Sequence, residues 1–112
     1  MKKIEAIIRP EKLDTVRRAL EQIGSPGLMI TEIEGHGKQK GITKQWRGKE
    51  YKVELLSKVK IEIVAKDQEA ERIIKTIMDV ARTGDIGDGK IFVYSIEGVY
   101  RIRTGEKGEG AI

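Results

Sequence analysis

Apolar and polar residues alternate in four short runs of the chain, and in two other runs apolar residues recur three and four positions apart. Successive residues of a strand lie on opposite faces, whereas residues three and four apart share one face of a helix. The pattern therefore predicts four strands, at Lys3–Ile8, Leu28–Glu34, Val59–Ala65 and Lys90–Ile96. The two predicted helices present apolar faces made of Leu13, Val16, Ala19, Leu20 and Ile23, and of Ala70, Ile73, Ile74, Ile77, Met78 and Ala81.

The two halves of the chain repeat short blocks of sequence. Lys3-Ile4-Glu5 corresponds to Lys60-Ile61-Glu62, and Ile33-Glu34-Gly35 corresponds to Ile96-Glu97-Gly98. Each half reads strand, helix, strand, and two such units on one sheet form the α+β ferredoxin-like βαββαβ fold with both helices on one face. The other sheet face would carry mixed charges, so we expect it to be wet or covered by other subunits, and we expect an oligomer.

The ends of these elements can also be predicted. Gly24 suits the C-terminal end of the first helix, and Asp67 suits the N-cap of the second. We expect a short edge strand at Val99–Arg103. We expect the Gly-, Glu- and Lys-rich segment of about 102–112 to be mobile.

The connection between the second and third predicted strands, about 37–55, shows neither the alternation typical of a strand nor the spacing of three and four residues typical of a helix. Structureless connections longer than about 12–15 residues are uncommon in compact domains unless they are functional or disordered. This one is basic and carries Trp46 and Tyr51. Exposed aromatic residues beside Arg47 suit a protein interface, although they could instead pack back onto the connection or the core. We interpret the segment as a recognition arm.

Composition narrows the class of protein. The 112 residues fit a single domain, and no apolar run approaches the roughly 20 residues of a membrane span. Pro10 and nearby charges interrupt what would be the core of a signal peptide, so we expect a cytoplasmic protein. The absence of cysteine excludes disulfides and thiolate zinc sites. The net charge of +4 favours anionic ligands.

A Gly-rich turn at 82–90 is the first candidate site. In Gly87-Asp88-Gly89-Lys90 the glycines would let backbone N–H groups surround an anion, and Lys90 adds a positive charge. The same residues could form a tight connection without a ligand. Arg101 and Arg103 would share one side of an extended segment and suit phosphates or carboxylates, or they could protect a sheet edge. Taken together, the two features favour a polyphosphate.

A second glycine-rich run spans Gly35–Gly41, where backbone donors and Lys38 could bind an anion and Gln39 could complete the shell of a hard metal ion. It could also be a hinge. Lys58 could face an acidic metabolite or simply be solvated. Catalytic sets are missing from the sequence: there is one histidine, and no Ser/His/Asp combination. The residues indicate binding rather than catalysis.

At these residues the sequence resembles the PII family of nitrogen-regulatory signal-transduction proteins. The most specific blocks are TGDIGDGKIFV at 83–93, KVKIEIV at 58–64 and GxGxQKG…RGxEY across 35–51. The resemblance extends over essentially the whole chain. It implies a homotrimer of ferredoxin-like subunits, with ATP or ADP bound in each cleft between neighbours, and a signalling protein rather than an enzyme.

The resemblance also implies ligand contacts. Those to the nucleotide would be made by Met29, Gly35, Gly37, Lys38, Gln39, Val64, Gly87, Asp88, Gly89, Lys90, Arg101 and Arg103. Those to 2-oxoglutarate would be made by Gln39, Lys40, Gly41, Lys58 and Gly87, with Mg²⁺ joining the phosphates, Gln39 and 2-oxoglutarate. Met29 replaces the threonine of many members. Lys38 replaces a common arginine, which keeps the positive charge but loses the two-point hydrogen bonding of a guanidinium group.

The connection at about 37–55 corresponds to the T-loop of the family, which docks on ammonium transporters and on nitrogen-assimilation enzymes such as glutamine synthetase. Arg47 at its tip would enter a transporter vestibule, the only route to membrane association. Tyr51 matches a tyrosine that is modified in some members. Trp46 and Lys49 depart from the usual tip, and Lys49 excludes phosphorylation of a serine at that position. The expected mechanism is a switch of the T-loop between ligand-dependent states.

The alternative is a small RNA-binding domain of the same fold, which would also suit a basic chain. Such sheets stack bases on aromatic residues of their strands. The first predicted strand has no aromatic residue, and the third reads VKIEIVA. A slow ATPase is a further alternative, but no residue is an obvious general base.

Overall fold

The computed structural model describes residues 1–36, 42–46, 49–53 and 55–112, with side chains at 1–34 and 57–112. The strands are β1 (Lys2–Ile8), β2 (Leu28–His36), β3 (Ile42–Trp46), β4 (Lys49–Val53), β5 (Leu55–Ala65) and β6 (Lys90–Ser95). The helices are α1 (Leu13–Gln22) and α2 (Asp67–Ala81), with short 3₁₀ turns at Pro10–Lys12 and Glu109–Ala111. Within the described ranges, no helix is long and apolar enough to cross a membrane.

Four strands form one antiparallel sheet in the order β2-β5-β1-β6. β1 pairs with β5 in a register that places Ile4 opposite Ile63, and with β6 in a register that places Ile4 opposite Val93. β2 pairs with the other side of β5, for example Ile30 with Ile61. The predicted ferredoxin-like α+β fold is confirmed.

Both helices cover the same face of the sheet. The alternate residues of β1 and β5 that face them are buried, as are Val16 and Leu20 of α1 and Ile73 and Ile77 of α2. The predicted helix faces are therefore confirmed except at Met78, which is 42% exposed because it lies on the flank of α2 beside a groove.

The opposite face of the sheet is open in one chain and carries ion pairs. Lys3 Nζ lies 2.8 Å from a carboxylate oxygen of Glu62, and Lys60 lies near Glu5 and Glu62. The Lys3 ammonium also lies 5.2 Å from the centre of the Tyr94 ring. The mixed charges predicted for this face are thus paired with one another across strands.

The connection between the second and third predicted strands is not structureless. β2 and β5 continue to the pair His36–Leu55, and β3 and β4 form a separate antiparallel ladder in which Trp46 lies opposite Lys49. The sequence predicted no strands here because charged residues obscure the alternation of apolar and polar positions. The segment nevertheless holds residues that favour strands, and the two backbones satisfy each other's hydrogen bonds. Residues 37–41, 47–48 and 54 lie outside the described part.

Two further predictions are wrong, one for the N-cap of a helix and one for a short edge strand. The N-cap of α2 is Lys66, and Asp67 is already helical, with its carboxylate 2.8 Å from the N-terminal amine. Val99–Arg103 is not a strand: after an isolated bridge between Tyr100 and Lys107, the chain turns, with Gly105 N–H donating to the carbonyl of Arg101. Gly105 has φ +74°, which favours this turn over an extended segment. The mobility of 102–112 stays a prediction.

Candidate functional site

The Gly-rich turn connects the end of α2 to the start of β6 and is organised around the carboxylate of Asp88. That carboxylate accepts hydrogen bonds of 2.9 Å from the backbone N–H groups of Thr83 and Gly84, and another from the Thr83 hydroxyl. The Thr83 hydroxyl first, and then these amides and Arg9, hold the pKa of the Asp88 carboxyl well below its usual range. Asp88, predicted to lie among the phosphate contacts, is therefore bonded within the turn, and its negative charge suits that role better than contact with phosphate.

Gly89 brings the turn into direct contact with the end of β1. Its φ is +97°, and a Cβ placed on it would lie 1.7 Å from the carbonyl oxygen of Ile7. A side chain at this position would need both an unfavourable backbone conformation and a displaced strand. The glycine is required by the packing of the turn, and Gly87 at φ +105° adds a second left-handed position.

Two cations from neighbouring strands hold the next residues of the turn. Arg9, directly after β1, donates from Nη2 to the carbonyl of Ile86 at 2.9 Å and from Nε to the Asp88 carboxylate at 3.1 Å. Lys58 of β5 donates from Nζ to the carbonyl of Gly87 at 2.6 Å. Burial, followed by the nearby charge of Arg9, lowers the pKa of Lys58.

Arg9 was missed by the sequence analysis. Its partners lie 77 and 79 residues further along the chain, and no local pattern connects them. The feature of the sequence that could have indicated a role for Arg9 is its position between the end of a predicted strand and Pro10.

Lys90 begins β6 and, with Asp88 and Gly89, lies at one end of a groove of about 340 Å³ between α2 and β6. Its walls are mostly apolar, and Arg82 adds a second cation. Met29 and Val64, predicted to be among the nucleotide contacts, do not line this groove. Met29 lies opposite Glu62 in the sheet, so it and Val64 lie on the open face. Met29 is 59% exposed.

Arg101 and Arg103 follow β6 in the chain, after the end that is remote from the turn. Lys90 pairs with Ile7 at the end of β1, whereas Ser95 pairs with Lys2 at its start, and Ile96 N–H donates to the carbonyl of Met1. At about 3.3 Å per residue, the five steps of β6 separate Lys90 from Ser95 by about 16–17 Å. Arg101 forms an ion pair with a residue close in sequence, its Nη1 lying 2.6 Å from the Glu106 carboxylate. The hydrogen bonds of Arg101 within the described residues are therefore to its own C-terminal segment, at Glu106 and Gly110, and not to the Gly-rich turn.

The remaining predicted site residues lie in or beside the connection at about 37–55. Gly35 is in β2, opposite Leu56, and Trp46 and Tyr51 are in β3 and β4. The other residues predicted to bind ligands or partners there lie outside the described residues: Gly37, Lys38, Gln39, Lys40, Gly41 and Arg47.

Comparison with known proteins gives a consistent result. Residues 1–106 match the family described as "Nitrogen regulatory protein P-II". The chain is 59% identical over 112 residues to "Nitrogen regulatory protein P-II" of Rhodospirillum rubrum and 57% identical to that of Pasteurella multocida, in each case covering both chains completely. It is 54% identical, again over both full chains, to "Nitrogen regulatory protein P-II 1" of Escherichia coli. These names describe regulators rather than enzymes.

Proposed function

The chain belongs to the P-II family of nitrogen regulatory proteins, and on that premise we propose that it senses nitrogen and energy status by binding ATP or ADP and, together with Mg-ATP, 2-oxoglutarate. Ligand binding would set the state of its T-loop, which would regulate ammonium transporters, nitrogen-assimilation enzymes, or both. We further propose that it acts in the cytoplasm as a homotrimer.

The observation that carries the proposal is the construction of the Gly-rich turn. A connection without a ligand needs neither a glycine pressed against Ile7 nor a carboxylate bonded at three positions inside the turn. Together with the cations of Arg9 and Lys58, these contacts fix the backbone before any ligand arrives, so that less ordering is required on binding. Lys90 beside the turn adds a charge suited to phosphate.

A shared site is the simplest way to use all the predicted phosphate contacts. In one chain the turn precedes β6, whereas Arg101 follows the far end of β6 and bonds to Glu106. In a closed ring of three subunits, the turn of one chain could lie beside the arginines of its neighbour. The charged open face of the sheet would then lie between subunits. We therefore place each nucleotide between two chains, with Arg101 released from Glu106 when phosphate binds.

Lys58 is the residue proposed to recognise 2-oxoglutarate. It is a partly buried cation at the base of the T-loop, where a carboxylate would be attracted in surroundings less screened than water. Its present partner, the carbonyl of Gly87, belongs to the nucleotide turn, which would couple the two ligands. For Mg²⁺ we propose Gln39, together with oxygens of the ligands, because the Asp88 carboxylate is bonded within its own turn.

The regulation would follow from a difference in ligand affinity between two states of the T-loop. A ligand shifts such an equilibrium only by the ratio of its affinities for the states. We propose that Mg-ATP with 2-oxoglutarate favours one arrangement at the base of the T-loop and that ADP favours another, in which the tip reaches its partner.

Calorimetry tests this proposal. ATP should bind the purified protein, and 2-oxoglutarate should bind with measurable heat only when Mg-ATP is present. A variant with both Lys90→Gln and Arg101→Gln should lose ATP binding while its oligomeric state, measured by light scattering, stays unchanged. Failure of the unmodified protein to bind ATP, or binding of 2-oxoglutarate that does not depend on Mg-ATP, would contradict the proposal.

The RNA-binding alternative receives less support from the open sheet face. Phe92 and Tyr94 lie there, but both belong to the edge strand β6. The central strands contribute Lys3, Glu5, Lys60 and Glu62, which pair with one another and offer no aromatic ring on which a base could stack. We therefore do not adopt it.

A further inference from the structure

The contact between Arg9 and the Gly-rich turn has a consequence for the direction of the backbone amides. In a trans peptide the carbonyl of one residue and the N–H of the next point in opposite directions. Arg9 binds the carbonyl of Ile86, so the N–H of Gly87 points away from Arg9. Lys58 binds the carbonyl of Gly87, so the N–H of Asp88 points away from Lys58.

We propose that Arg9 is a positioning residue for anion binding: it turns the carbonyl of Ile86 inward and thereby directs the backbone N–H of Gly87 outward, toward the phosphates. This inference rests on the proposed function, because it assigns a role in the same nucleotide site. Arg9 itself need not touch the ligand.

Arg9 is suited to this role by its backbone and its side chain. It precedes Pro10, which disfavours helical backbone at the preceding residue, and it has extended angles of φ −64° and ψ 138°. Its side chain is only 13% exposed. One planar guanidinium bonds two acceptors of the turn, the Ile86 carbonyl and the Asp88 carboxylate, and so fixes their relative placement.

A lysine at position 9 would keep the charge but not the fork. The ammonium group would favour one acceptor, the Asp88 carboxylate, and hold the Ile86 carbonyl less firmly. Methionine would fill similar space and donate to neither. The proposal therefore predicts that ATP affinity decreases from the unmodified protein to Arg9→Lys and decreases further in Arg9→Met.

The test combines calorimetry with amide spectra of the free protein. Arg17→Met is the matched control, because the two ion pairs of Arg17 are with Asp14 and Glu21 of its own helix and not with the turn. We expect Arg9→Met to weaken ATP binding about tenfold or more, Arg9→Lys about two- to fivefold, and Arg17→Met not measurably. In ¹⁵N–¹H spectra recorded without ligand, the amides of Gly87 and Asp88 should shift in both Arg9 variants and remain in place in the control.

Each outcome of this test either supports or overturns the proposed role of Arg9. ATP affinity within twofold of the unmodified protein in Arg9→Met would overturn the proposal. Weaker binding with unmoved turn amides would also overturn it, since Arg9 would then act on the ligand directly. If Arg9→Met does not fold, Arg9→Lys decides by the same two readouts. If the unmodified protein binds no ATP, the proposed function fails, and the free-protein spectra still report whether Arg9 sets the turn.

Discussion

The chain connects a helix to an edge strand twice, once between α1 and β2 and once between α2 and β6. The first connection contains Gly24, whose φ is +70° and which has open space where a side chain would be. Ser25 N–H closes the helix by donating to the carbonyl of Leu20. The second contains Gly89, which has no such space, and it is held by Asp88, by Arg9 directly after β1, and by Lys58 of β5.

The two connections differ in the sequence separation of the residues that hold them. Both connections lead the chain from a helix into an edge strand, and the first is closed by local hydrogen bonds. The second brings together residues separated by most of the chain, because Arg9, Lys58 and Asp88 meet at the same end of the sheet. Predicted effects of substitutions should therefore differ strongly between the two connections.

The largest expected contrast is between Gly89→Ala and Gly24→Ala. Gly89→Ala combines backbone strain with overlap against Ile7, and should destabilise the protein by about 3 kcal/mol or more. Gly24→Ala meets only the strain of the left-handed conformation, about 1 kcal/mol. Urea denaturation at one protein concentration measures both. Equal losses would show that the second connection is no more constrained than the first.

The next expected effect concerns Lys58. Replacement by methionine removes the cation proposed for the carboxylate of 2-oxoglutarate, so binding of that ligand should fall at least about tenfold. ATP affinity should change less, by about threefold at most, because the turn keeps Arg9 and Asp88. Calorimetry with Lys75→Met as the control, an exposed lysine of α2, distinguishes this from a general loss of charge. Loss of both ligands to the same extent would contradict separate roles.

The smallest expected effect is the pH dependence of the second connection. The folded-state pKa of Asp88 lies below its usual value, so the carboxylate stabilises the fold at pH above about 4, and this contribution is lost as pH falls through the folded pKa. The difference in urea midpoint between the unmodified protein and Asp88→Asn should be constant from about pH 5 to 8 and shrink below about pH 4. Asp85→Asn, on the same turn, is the control. A difference that grows on acidification would contradict this role of Asp88.

The sequence predicted the sheet, the helices and the glycines of the turn because each leaves a local or regular pattern. Ile4, Ala6 and Ile8, for example, are buried as their alternation indicates. It did not predict that Arg101 lies in a turn, because that turn depends on Glu106 and on the conformation of Gly105. The β3–β4 ladder was missed because backbone pairing can form without a regular apolar period. The role of Arg9 was missed because it depends on the fold bringing distant residues together.

The central claim is that the turn of one chain and the arginines of another complete one nucleotide site. Two inactive variants, Lys90→Gln and Arg101→Gln, can be co-expressed with different tags, and the mixed oligomers purified by both tags. If sites are shared between chains, each mixed trimer contains one cleft that combines an intact turn with an intact neighbouring arginine, so about a third of the ATP sites should be restored. If each chain forms its own site, no site is restored, and the mixed oligomers bind as poorly as either variant alone.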